Sequence, residues 1–233
     1  MTAHDEKVSP LAEPDRPRRR SRSERSADSR QLILDATVDC LLENGYARTT
    51  TLTIQARAGV SRGRLLHHFP SREGLLVAAC QHLASNHLAE LESWVAVSLD
   101  SRGSELDRLD RVIDLFWSTF EQRYFWGAIE LWTAARTDER LRSTLMPEER
   151  RLGTAVRHVI DALFGPRFSS HPRYPMVREI LLTSMRGVAM TYAFDRRDRL
   201  TDPHLALWRS IAYLLVEDAS PAVVAVAHQN SHN

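Results

Sequence analysis

From Asp28 onward the apolar positions recur at helical spacing. Ile33, Ala36, Thr37, Cys40 and Leu41 fall on one face of a helix over about 29–44. Asp28 with Gln31 three residues on reads as a capping box, and Gly45 as a left-handed C-cap. Thr50 or Thr51 then caps a short helix ending at Ala58. Gly59 and Val60 make a turn, Ser61 caps a helix from Arg62 to His68, and Pro70 stops it. Ser71 opens a fourth, long helix to about Val97, with Glu73 favourably placed near the positive end of its dipole.

Beyond Ser98 the pattern stays helical. Segments are expected at about 105–122, 124–136, 148–164, 174–195 and 203–218, with breaks at Gly103, Pro147, Gly165-Pro166, Pro172, Pro175 and Pro203. No alternating strand pattern and no repeat of 20–50 residues stands out. The fold class is therefore all-α. Residues 1–27 carry Pro10, Pro14, Pro17, many Ser and the run Arg18, Arg19, Arg20, Ser21, Arg22, with little to pack, and read as a disordered Arg-rich arm. Residues 219–233 read as a flexible tail.

Composition narrows the class. Of 233 residues, 43% are hydrophobic and 26% charged, which excludes wholesale disorder. No apolar run approaches the roughly 18 residues of a membrane span, and no apolar leader segment opens the chain. A cytoplasmic protein with no membrane partner is expected. Cys40 and Cys80 sit in helical apolar patterns and are too few for a disulfide framework. The net charge of +1 hides an asymmetry. Residues 1–72 hold 13 Lys/Arg against 9 Asp/Glu, and residues 16–30 hold 7 Arg against Glu24 and Asp28. A basic front on a mildly acidic body points to a polyanion partner for the front alone.

Two short helices joined by a Gly59 turn form a helix-turn-helix pattern, whose second helix enters the DNA major groove. Arg62 and Arg64 stand at the start of that helix, where arginine can bond both O6 and N7 of guanine. Gly63 removes a side chain between them and lets the backbone approach. Thr49, Thr50 and His67 sit where phosphate contacts set register without reading sequence. The stretch TTTLTIQARAGVSRGRLLHHFPSREGLL, residues 49–76, resembles the DNA-binding domain of the TetR family of bacterial transcriptional regulators. Thr49, Thr50, Ile54, Ala58, Gly59, Val60, Ser61, Gly63, Leu65, His68, Phe69, Ser71, Glu73 and Leu75 match its pattern. Ser61, Arg62, Gly63, Arg64, His67 and His68, with the two threonines, are the expected DNA-binding residues. Three positions depart from the pattern. Leu66 stands where the family usually has Tyr, losing a phosphate-bonding hydroxyl; Gln55 replaces a small Ala; Gly74 takes a place often held by Glu. The Arg-rich arm is expected to compensate in phosphate contact.

The resemblance implies an N-terminal three-helix domain, residues 28–74, joined to a larger helical effector-binding and dimerisation domain, residues 75–218. Phe116, Trp117, Phe120, Trp126, Ile129 and Trp132 can line a pocket for an apolar or planar small-molecule effector or simply pack the core. Glu130 and Arg186 are charges in apolar helices, which need partners: each other, or a ligand. The resemblance also implies a homodimer through the last two helices, bringing two recognition helices to a palindromic operator. Leu181, Met185, Val188 and Tyr192, with Leu205, Trp208, Ile211 and Leu215, are the apolar stripes for that interface; alternatively they close the chain's own core.

No zinc spacing, Gly-rich phosphate loop, nucleophile elbow or H-E-x-x-H is present, so no metal site, cofactor or catalytic residue is expected. Asp107, Asp110 and Asp114 read as a solvated helix face. The function expected is a ligand-responsive DNA-binding regulator, a repressor, and not an enzyme. The alternative is a DNA-binding regulator without a small-molecule effector, controlled by a protein partner.

Overall fold

The computed structural model describes residues 22–98, 104–195 and 197–216, and the described residues are helical with no strand. The expected tail at 219–233 and residues 1–21 of the expected arm lie outside them. The last part of that arm is corrected. Helix α1 (Arg22–Arg48) already includes residues 22–27, because neither Pro nor Gly interrupts them. Asp28 therefore lies inside the helix instead of capping it. Gly45 does break α1, with φ 72° and ψ 172°.

The next two helices are built by local capping. Thr50 caps α2 (Thr51–Ala58): its hydroxyl accepts from the Thr53 amide at 3.2 Å, while the Thr50 amide donates to the Thr53 hydroxyl. Gly59, at φ 64° and ψ 30°, ends α2 in the left-handed conformation that a side chain disfavours. Ser61 caps α3 (Arg62–His68) by accepting from the Arg64 amide at 3.3 Å. Ser71 does the same for the Gly74 amide at the start of α4 (Arg72–Ser98).

Ile33, Leu34 and Val38 of α1 meet Ile54 of α2, Leu65 and Phe69 around α3, and Leu75 and Ala79 of α4 in one buried cluster. The first turns of α4 thus complete the N-terminal core, and the helix runs unbroken through the expected border at 74/75. A second cluster joins this unit to the body, with Leu41, Leu76 and Cys80 packed against Leu131, Leu141 and Leu145.

The body comprises α5 (Glu105–Ser118), α6 (Arg123–Ala135), α7 (Glu139–Ser169), α8 (Tyr174–Thr191) and α9 (His204–Tyr213). Single 3₁₀ turns follow α5 and precede α9. Helix α7 starts earlier than its sequence pattern implies. Asp138 caps it by accepting from the Leu141 amide at 3.0 Å, and the helix continues through Pro147. Pro147 and Ser143, whose carbonyl loses its bond there, are both exposed, so solvent can satisfy the freed group. The expected break at Gly165-Pro166 is present, with Gly165 at φ 78°. The Asp110 and Asp114 carboxylates are not simply solvated. Arg209 of α9 reaches both, and the Tyr213 hydroxyl donates to Asp110 at 2.6 Å, tying α5 to α9.

Candidate nucleic-acid interface

Helix α3 is anchored by few residues and exposes the rest. Leu65 is fully buried and Phe69, at the C-cap, nearly so. Ser61, Arg62, Gly63, Arg64, Leu66 and His67 are exposed, and His68 is half-buried. A seven-residue helix held from one side presents an arginine-bearing face outward, of the width that a major groove admits.

The expected contact residues differ in their surroundings. Arg62 and His67 project from α3 into solvent. Arg64 is partly engaged: its Nη1 donates to the Ser29 hydroxyl of α1 at 3.3 Å, which directs its guanidinium toward α1. His68 is held below the ordinary histidine pKa, chiefly by burial, then by His67, Arg30 and Arg64. Thr50 is exposed, with its hydroxyl engaged in the α2 cap.

Thr49 is a correction. Its side chain is fully buried and its hydroxyl donates to the Gly45 carbonyl at 2.8 Å, so no phosphate can reach it. It closes the turn after Gly45 rather than facing DNA. Its carbonyl accepts from Arg72 Nε at 2.7 Å, and a second Arg72 nitrogen donates to the Tyr46 carbonyl. The Arg72 guanidinium also lies 4.1 Å from the centre of the Tyr46 ring. This clamp, absent from the sequence-based expectations, binds the α1–α2 turn to α4. Arg57 is likewise not free for phosphate. It pairs with Glu43 and Asp39 of α1, and Asp39 also takes Arg123 of α6.

In the body the expected pocket residues separate into two groups. Phe116, Trp117 and Phe120 are buried and packed on one another, with the Trp117 and Trp208 rings 4.6 Å apart and those of Phe120 and Phe125 5.2 Å apart. Trp126 and Ile129 pack half-buried against the same core. Trp132 and Arg186, however, line an open groove of about 480 Å³ between α6, α7 and α8, with Arg136, Arg142, Met146 and Glu149. The Arg186 guanidinium lies 5.3 Å from the Trp132 ring centre. Burial pushes the Glu149 carboxyl up, against the opposing pull of Trp132, Arg186 and Gln81, and Gln81 Nε2 of α4 donates to it at 3.1 Å. Glu149 was not foreseen: it lies in a charge-rich stretch that gives no sign of burial. Glu130 and Arg186 do not pair with each other. Glu130 Oε2 accepts from the Tyr46 amide at 3.2 Å.

The expected dimer stripe is also corrected. Leu181, Met185, Leu205, Trp208 and Leu215 are buried in the chain's own core, and Val188, Tyr192 and Ile211 pack half-buried against it. What α8 exposes is a second stripe, Met176, Ile180, Thr183, Gly187, Met190 and, just beyond the helix, Phe194. On α9, Leu207 is 59% exposed. The α8 stripe is legible as alternating steps of four and three residues, but both faces of the helix are apolar, so the pattern alone does not say which turns inward.

Among the described residues no cluster of three or more His, Cys, Asp or Glu could hold a metal ion, and no helix is long and apolar enough to cross a membrane.

Comparison with known proteins agrees with this geometry. Residues 33–79 match the family model of bacterial regulatory proteins, tetR family. The chain is 26% identical over 171 residues to an uncharacterized HTH-type transcriptional regulator of Mycobacterium tuberculosis, spanning 73% of this chain and 86% of the relative. It is 29% identical over 136 residues to the transcriptional repressor AcnR of Corynebacterium glutamicum, spanning 58% of this chain and 65% of that one. The solved structure of the regulator FadR from Bacillus subtilis in complex with stearoyl-CoA shares the fold, with a TM-score of 0.55 at 18% identity over 82% of this chain and 99% of that one. All three are transcriptional regulators.

Proposed function

We propose that this chain, which belongs to the TetR family of bacterial regulatory proteins, is a cytoplasmic, ligand-responsive repressor that leaves a palindromic operator when a small, largely apolar effector binds its body. The observation that carries this reading is α3: two anchoring residues hold it, and Arg62, Gly63 and His67 stand exposed on it. Two copies, joined through the exposed apolar stripe of α8 with Leu207 of α9, would present two such helices to one face of a duplex.

The groove lined by Trp132, Met146 and Arg186 supports an effector site of mixed character, with apolar and charged side chains side by side in its lining. It has a physical route to the DNA-binding unit. Glu149 is bonded to Gln81 of α4, and α6 holds the α1–α2 turn through Glu130. Effector and operator would favour different arrangements of these helices, so each weakens the other's binding. The self-packed aromatics Phe116, Trp117 and Phe120 favour a second reading, a regulator controlled by a protein partner with no small-molecule effector.

Selection of duplexes from a random library by the purified full-length protein tests the central claim. A two-fold symmetric site is expected, whose affinity falls steeply with salt. Arg62→Ala should cost about 1–3 kcal/mol and relax preference at one base position. His67→Ala should weaken binding evenly on all duplexes. An Arg62→Ala loss that is equal on selected and random DNA overturns the assignment of α3 to the groove.

A further inference from the structure

Leu66 is an exposed leucine on α3 that stands outside the buried cluster anchoring the helix. It remains 41% exposed while its neighbour Leu65 is fully buried, so the helix is anchored without it. It lies one turn beyond Arg62 and three residues beyond Gly63. Helical side chains lean over the turn on their N-terminal side, so Leu66 leans toward Arg62 and Gly63. Gly63 places no side chain there, and no atom lies within 4 Å of where its Cβ would stand. The result is an apolar patch next to a free guanidinium on the outward part of the helix.

Leucine has no polar atom, so this side chain can bond neither a phosphate nor the polar atoms of a base edge. One apolar group projects into the major groove from an unmodified base, the 5-methyl of thymine. We propose that Leu66 reads the 5-methyl group of a thymine next to the base pair contacted by Arg62. The inference rests on the placement of α3 in the major groove and adds a second specificity-determining residue to it. Where a hydroxyl would have served position, an aliphatic group serves sequence.

The test uses the full-length protein and the duplex it selects. Each thymine of a half-site is replaced in turn by deoxyuridine, which removes only the methyl group. One replacement, next to the Arg62-dependent guanine, should weaken binding by about fourfold, the value of one methyl-sized apolar contact. Leu66→Ala should weaken binding of the natural site by a similar factor and become indifferent to that replacement, while keeping the guanine preference. Circular dichroism of the variant should match that of the parent, since an exposed side chain is removed. The inference is overturned if Leu66→Ala retains the full sensitivity to deoxyuridine, if it loses affinity equally on methylated and methyl-free sites, or if no thymine neighbours that guanine. A protein that enriches no sequence at all overturns the placement of α3, and the role of Leu66 with it.

Discussion

The backbone amide of Tyr46 donates to Oε2 of Glu130 at 3.2 Å, joining residues 84 positions apart. Tyr46 directly follows the Gly45 break, and Glu130 sits in the middle of α6. A body helix therefore holds the main chain of the turn that leads into α2. A hydrogen bond to a charged group in a partly buried setting contributes on the order of 1.5–3 kcal/mol. Glu130→Ala is expected to lower unfolding free energy by about 1–2 kcal/mol, and Glu130→Gln by less, because an acceptor oxygen remains. Amide hydrogen exchange at Tyr46 should accelerate in the Ala variant while α9 amides keep their rates. Unchanged exchange at Tyr46 would mean that Glu130 does not hold the turn.

Ile180 and Leu181 are adjacent in sequence and opposite in environment, 39% and 0% exposed. Leu181→Ala should destabilise the fold by about 2–5 kcal/mol, the usual cost of emptying a core position. Ile180→Glu should leave the secondary structure intact and shift the protein from dimer to monomer in sedimentation. A dimer that persists undiminished in both Ile180→Glu and Leu207→Glu would place the contact between chains elsewhere.

Gly45 and Gly59 both have positive φ but differ in ψ, 172° against 30°. The second is the left-handed helical region, which asparagine tolerates; the first is open essentially to glycine alone. Gly45→Asn is expected to cost about 1–3 kcal/mol, and Gly59→Asn less, because asparagine visits the left-handed helical region. Urea midpoints of the two variants give the comparison directly. Equal midpoints would show that the α1–α2 turn relaxes out of its strained conformation.

Acid should weaken the α8–α9 connection. Burial raises the pKa of Asp202, but bonds from the Tyr192 hydroxyl, the His204 amide and the His204 ring outweigh it and hold the carboxyl below the ordinary Asp value. A carboxyl depressed in the folded state contributes stability that is complete above the unfolded pKa of about 3.9 and is lost as pH falls through the folded value. Urea midpoints measured from pH 6 down to pH 3 should decline, and less steeply for Asp202→Asn. An identical slope in the variant would remove Asp202 from the account.

Capping explains why the N-terminal helices were readable in advance. Thr50, Ser61 and Ser71 each bond an amide three residues on, so the signal and its consequence lie within one turn. The start of α7 is not legible in this way, because Pro147 reads as a break. A proline inside a helix strands the carbonyl four residues earlier, and whether solvent can reach that carbonyl is settled by packing. Thr49 is similar: its position in the motif is local information, but its burial and its bond to the Gly45 carbonyl belong to the folded turn.

Taken alone, the order of residues determined that the fold class is all-α, that two short helices meet at Gly59, and that arginine and glycine head the second of them. Those properties depend on neighbours within four or so positions, where the backbone hydrogen bond and the cap operate. Which face of α8 turns inward, where Glu130 and Arg186 find partners, and that Leu66 stays partly exposed were decided only by the tertiary structure. Apolar stripes on both sides of a helix bury comparable area, and only the shape of the surrounding helices selects between them.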